Sequence, residues 1–207
     1  MKKTRTFLAT AVASVMMLCS LTACGDDAAN GAGAQFTITL YPDCAPITCE
    51  NFEKLVSEGF YDGLTFHRVV DNFMAQGGDP MGNGSGGSKD TIKGEFSKNG
   101  VDNPLSHTRG IVSMARSSAM DSASSQFFIC YTDDCTFLDG SYAAFGEVTE
   151  GMEVVDSFLQ VERTLGGDRA ISAPVEPIII DTAVMIENDA DGNPRVLFTM
   201  KQIPVAD

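Results

Sequence analysis

Phe66-His67-Arg68-Val69-Val70-Asp71-Asn72-Phe73-Met74-Ala75-Gln76-Gly77-Gly78-Asp79 is the stretch that decides the reading of this 207-residue chain. Two short apolar strand pieces meet at Asp71-Asn72, a pair suited to a turn. The first piece carries one cation, Arg68. The second opens with two large apolar residues, Phe73 and Met74, and continues to an amide, Gln76. If the two pieces pair, Arg68 and Gln76 lie beside an apolar patch. The glycines at 77 and 78 then let the chain leave sharply. Taken alone, an Arg near a strand end is usually a solvated charge, and a Phe-Met pair is usually core.

Four segments downstream change that weighing. They are Ser113-Met114-Ala115, Ser125-Gln126-Phe127-Phe128-Ile129, Phe137-Leu138-Asp139-Gly140 and Ala144-Phe145-Gly146. With the opening stretch, and in this order, they resemble the motifs of the cyclophilins, the peptidyl-prolyl isomerases, from about Phe36 to Ile186. The resemblance implies a closed eight-stranded antiparallel β-barrel capped by two α-helices. It also implies a barrel interior packed with side chains and a substrate groove on an outer face. It assigns catalysis to Arg68, Gln76 and Phe73. Phe73, Met74, Phe128 and Leu138 would grip the proline ring. The backbone at Ala115 and Arg116, with Gln126, would fix the flanking residues. Phe137 and Tyr142 stand where many members have Trp and His, and both keep the pocket aromatic. No cofactor or metal is implied. The bland alternative is a binding module that holds proline-containing segments without turning them over.

The residue patterns agree with an all-β reading. Phe36, Ile38 and Leu40 alternate with Thr37 and Thr39, a strand with one apolar face. Thr48 to Ser57 reads as a helix with Phe52, Leu55 and Val56 inward and Gly59 as its stop. Ile111–Ala115, 126–131, 143–148 and Ile178–Ile186 read as strands, and Gly151–Phe158 as a second helix. Many short strands with two helices and glycine loops point to a barrel. Asp79 to Lys89 is a long loop that formally holds GxGxxG at Gly82, Gly84 and Gly87. No helical pattern follows it, so nucleotide binding is not expected. Residues 188–207 read as a turn and one further strand beyond the 35–187 domain.

The N-terminus reads as an address. Lys2, Lys3 and Arg5 precede an apolar run from Phe7 to Leu18 that is too short to span a bilayer. Leu21-Thr22-Ala23-Cys24 resembles the bacterial lipobox. Residues 1–23 are then a signal peptide, Cys24 carries lipid, and 24–34 is a tether. The expectation is an extracytoplasmic, membrane-anchored lipoprotein, monomeric, acting on proline-containing unfolded or partly folded proteins. A formal charge of −14 argues against nucleic acid as a partner. Cys44, Cys49, Cys130 and Cys135 lack zinc-site spacing, and free thiols and disulfides both stay open. With no GxSxG elbow in the chain, His67 and His107 read as structural.

Overall fold

Ten strands and two helices follow one another in a computed structural model that describes residues 33–204. The signal segment, Cys24 and most of the tether lie outside the described residues. The strands are β1 (Gln35–Leu40), β2 (Thr65–Val70), β3 (Met74–Asp79), β4 (Ile111–Met114), β5 (Phe127–Cys130), β6 (Ala144–Glu150), β7 (Arg163–Leu165), β8 (Ile171–Pro174), β9 (Ile178–Ile186) and β10 (Arg195–Gln202). The helices are α1 (Pro46–Ser57) and α2 (Met152–Ser157). Eight strands close an antiparallel barrel in the order β1-β10-β9-β2-β3-β5-β4-β6, and β6 returns to β1. The expected architecture is therefore present.

The barrel is solid. Phe36 and Phe198 stack at 4.9 Å, and Phe66 meets Phe127 edge-on at 5.7 Å. Val112, Phe145 and Ile180 add to the same buried cluster, which α1 joins through Phe52 and α2 through Val155. Side chains fill the inside, so any ligand must use the outside. The outer face of β1 is also covered. Thr37 and Thr39, opposite the apolar face, are also buried, and the Thr39 hydroxyl pairs with that of Thr149 at 2.9 Å.

Helix α1 starts two residues before the predicted boundary, with Pro46 in its first turn, where a missing N–H costs nothing. The N-cap, Ala45, has no side chain able to cap. Buried Glu95 does so from 47 residues away. Its carboxylate accepts from Ile47 N at 3.1 Å, Thr48 N at 2.8 Å and Thr48 Oγ1 at 2.7 Å. A buried anion at a helix N-terminus satisfies the first free N–H groups and meets the positive end of the dipole. Gly59, at φ +68°, ends the helix as expected.

Asp79 does the same for the glycine loop. Its carboxylate accepts from the amides of Met81, Asn83 and Gly84 at 2.8, 3.1 and 2.6 Å. The amides that a GxGxxG loop would turn toward a phosphate are occupied by the protein's own acid. A Cβ at Gly86 would collide with Asp79 Oδ1, so the loop depends on that glycine.

The C-terminal strand requires a correction. In the sequence the run 196–200 reads as one strand added to a finished domain. It is β10, a barrel strand bonded to β1 on one side and β9 on the other. A domain ending at 187 would be an open sheet. Partner choice is non-local, so period-2 apolarity alone cannot separate an added strand from a closing one.

His107 is buried between Asp139 and Ser113. Nδ1 meets Asp139 Oδ1 at 2.7 Å, and Nε2 meets Ser113 Oγ at 2.9 Å. This has the order of a hydrolase triad, but Ser113 is fully buried and touches no solvent. The network instead ties the 3-10 turn Asp133–Leu138, which Asp139 ends, to β4. Burial holds both His107 and His67 below the usual imidazole value.

Two outcomes follow from these features. Ending the chain at residue 187 removes Val196, Phe198, Met200 and Ile203, all buried. At about 1.5–3 kcal/mol per side chain this rivals a whole domain's stability of about 5–15 kcal/mol. The shortened protein should show no cooperative thermal transition by circular dichroism. The two histidines bind protons more weakly folded than unfolded. Their contribution should therefore be constant above about pH 7 and decline as pH falls below the unfolded value of about 6.5. Urea titrations at pH 7.5 and 5.0 check this, and His107→Asn should flatten the difference.

Candidate active site

The register of four strands builds the site. Arg68 on β2 pairs with Gln76 on β3, Gln76 with Phe128 on β5, and Phe128 with Ser113 on β4. One rung thus sets a cation, an amide and an aromatic ring side by side on the outer surface. The turn that creates this register runs through Asn72, at φ +56°, a conformation that Asn tolerates. Two residues along, Met74 pairs with Cys130 and supplies the apolar neighbour.

A cavity of about 180 Å³ opens there. Arg68, Phe73, Met74, Gln76, Ala115, Arg116, Phe128, Leu138 and Tyr142 line it, and every one was expected from the sequence. Met74, Phe128 and Leu138 form a small buried cluster with Cys130 and Cys135, separate from the barrel interior. The slot therefore has its own apolar backing. All four cysteines in the described residues are free thiols.

Arg68 is held from several sides. Nη1 donates to Gln76 Oε1 at 3.2 Å and lies 3.8 Å from Met74 Sδ. Nε donates to Asp168 Oδ2 at 2.6 Å. Its Cζ is 5.8 Å from the Phe73 ring centroid, within cation–π reach. Gln76 is held in turn, its Nε2 donating to Gln126 Oε1 at 2.8 Å, and Gln126 Nε2 donates to Gly86 O at 2.7 Å. Arg116, expected at the slot for its backbone, is held there by its side chain. It stacks on Tyr142 at 4.7 Å and Phe96 at 5.1 Å, and Nε donates to Ser141 O.

Two expected residues stand apart from the slot. Gln126 lines a neighbouring cavity of about 230 Å³ with Gly84, Gly86, Ser117 and Ser124, and reaches the slot only through Gln76. Phe137 is 69% exposed and does not line the slot. The 3-10 turn directs it outward, leaving its ring 5.7 Å from Phe73 at the rim. Its reading as a pocket residue is corrected to that of a rim residue.

Sequence reasoning missed Asp168 and the hairpin of β7 and β8 that carries it. A third cavity, of about 520 Å³, lies between this hairpin and Gly82–Gly84, with His67, Arg68 and Gln76 at its base. A hairpin signal was available in Gly166-Gly167-Asp168 between short β-formers. The pairing of Asp168 with Arg68, 100 residues earlier, leaves no local trace.

The chain's relatives agree with this geometry. The family model described as cyclophilin type peptidyl-prolyl cis-trans isomerase matches residues 27–184. Peptidyl-prolyl cis-trans isomerase B of Bacillus subtilis is 48% identical over 121 residues, covering 58% of this chain and 80% of that protein. Peptidyl-prolyl cis-trans isomerase A of Dickeya dadantii is 43% identical over 148 residues, covering 69% and 75%. A Schizosaccharomyces pombe isomerase is 42% identical over 150 residues, covering 72% and 91%. Among solved structures, a Cryptosporidium parvum cyclophilin crystallised in the presence of the dipeptide Ala-Pro superposes with a TM-score of 0.62. Its identity is 25%, with 85% of this chain and 98% of that one covered. Motifs, barrel, slot and relatives converge, and the chain belongs to the cyclophilin-type peptidyl-prolyl cis-trans isomerases.

Proposed function

We propose that Arg68 drives isomerisation by stabilising the twisted imide of a proline held in the slot. The observation that carries this reading is a guanidinium fixed beside an apolar cavity. Two of its nitrogens are committed to Asp168 and Gln76. Among the described residues Nη2 donates to none.

Rotation about an X–Pro bond is slow because the C–N bond has double-bond character, with a barrier of ~18–20 kcal/mol. No nucleophile or metal is required. Binding the twisted form better than either planar form is enough. On twisting, the proline nitrogen loses conjugation and regains a lone pair. A fixed N–H donor facing that lone pair stabilises this form selectively. Arg suits the role because it stays charged and its donors are directed. Phe73, Met74, Phe128 and Leu138 hold the ring while the rest of the peptide turns. The edge of the groove at Ala115 and Gln126 holds the flanking residues. A neighbour crystallised with Ala-Pro supports a proline-containing substrate.

The substrates we infer are unfolded or partly folded exported proteins, met by a monomer anchored through lipid on Cys24. The basic head, the short apolar run and the cysteine at the end of the lipobox-like segment support that address.

Arg68→Ala should lower turnover of an X–Pro peptide about 10²–10³-fold, as for loss of one preorganised donor. A protease-free exchange assay measures it. Near-normal turnover refutes the role, and no turnover by the unmutated protein would favour the non-catalytic binding module. Separately, Cys24→Ser should move the protein from the membrane fraction to the soluble one, read by immunoblot after ultracentrifugation.

A further inference from the structure

The hairpin of β7 and β8 is not part of the barrel, yet it is fastened to the catalytic strand. Arg163 donates to Asp71 Oδ1 at 2.8 Å, Val69 O at 3.3 Å and Leu159 O at 3.2 Å. These bonds anchor the base of the hairpin beside the β2–β3 turn. At the tip, Gly166 N donates to Ala170 O at 2.8 Å, and Arg169 takes φ +66°. Within this turn the two oxygens of Asp168 have separate uses. Oδ1 accepts from Ala170 N at 3.0 Å and from the buried Ser172 hydroxyl at 2.7 Å. Those bonds fix the carboxylate in its own turn. Oδ2 is left to accept from Arg68 Nε at 2.6 Å.

The other hold on the guanidinium is Gln76, at Nη1. A planar group held at one nitrogen can still swing about that point. Held at two, its plane and heading are set. Long side chains otherwise sample many rotamers, and a donor that must meet a transient lone pair gains from being fixed beforehand. The ion pair is partly shielded, its side chains 30% and 21% exposed, and the contact is short. Burial alone would raise the Asp168 carboxyl, but its bonds from Arg68, Ser172 and Ala170 outweigh that and bring it down to about 2, so it stays ionised throughout the neutral range.

We propose that Asp168 is a positioning residue for Arg68, which makes the β7–β8 hairpin part of the isomerase machinery. This rests on the role given above to Arg68. Asp168 touches no substrate atom. Its effect passes through the heading of the guanidinium, and so falls on the rate of the bound peptide and not on its affinity. Because Arg163 anchors the hairpin independently, removing the carboxylate leaves the hairpin attached.

The test is a double-mutant cycle on the full chain, with kcat and KM for an X–Pro peptide followed by NMR exchange. Asp168→Ala should lower kcat about tenfold and leave KM within twofold. Asp168→Asn, which keeps the shape of the turn, should fall between Asp168→Ala and the parent, and stands in if the alanine variant does not fold. In an Arg68→Ala background, Asp168→Ala should change kcat less than twofold. The Arg68 Nε–H resonance, shifted and slow to exchange in the parent, should lose both properties in Asp168→Ala. A kcat within twofold of the parent for both Asp168 variants overturns the proposal, as does an equal loss in both backgrounds. If Arg68→Ala itself keeps full turnover, the role of Arg68 falls and that of Asp168 falls with it.

Discussion

Everything at the active surface depends on one antiparallel register, β2 against β3. Val69, next to Arg68, points to the opposite face, so a slip of one residue would turn Arg68 inward and carry Val69 out of the core. The irregularity between Phe66 and Arg68 lets Phe66, two residues from the cation, face inward as well. The buried pattern forbids that slip, since Phe66 and Val69 belong to the barrel interior. Core packing thus decides where the cation points. The same logic extends along the rung through Gln76 and Phe128, whose positions follow from β3–β5 pairing.

Three acids show how one group can serve different ends. Glu95 closes the start of α1, Asp79 gathers the amides of the glycine loop, and Asp168 grips Arg68. The first two are buried carboxylates satisfied by N–H groups, which is what makes a buried anion tolerable. The third is partly exposed and faces a full cation. The chain is acidic overall, yet these acids act through specific donors and not through net charge.

Much of this could be read from the residues, and the failures share a cause. The hairpin at Asp71-Asn72, the helix stop at Gly59 and the strand over Ile178–Ile186 rest on local chemistry, and the structure has them there. Seven of the nine slot residues lie within the ordered motifs, and Arg116 and Tyr142 lie just beside them. What escaped was long-range. Glu95 capping α1, β10 joining β1 and Asp168 holding Arg68 connect residues far apart, and no short window of sequence records them. Phe137 escaped for a different reason. Its place in a motif was right, but the 3-10 geometry that turns it outward depends on how the turn seats against β4 through His107.

The pairing of β1 with β10 has a consequence for biogenesis. Gln35 bonds opposite Thr199, so the partner of the sheet's first strand is made last of its strands. Until then, two strand edges carry unsatisfied backbone groups, and such edges recruit foreign strands. A protein of this kind should need shelter for most of its own birth, and the two ends of its domain finish side by side.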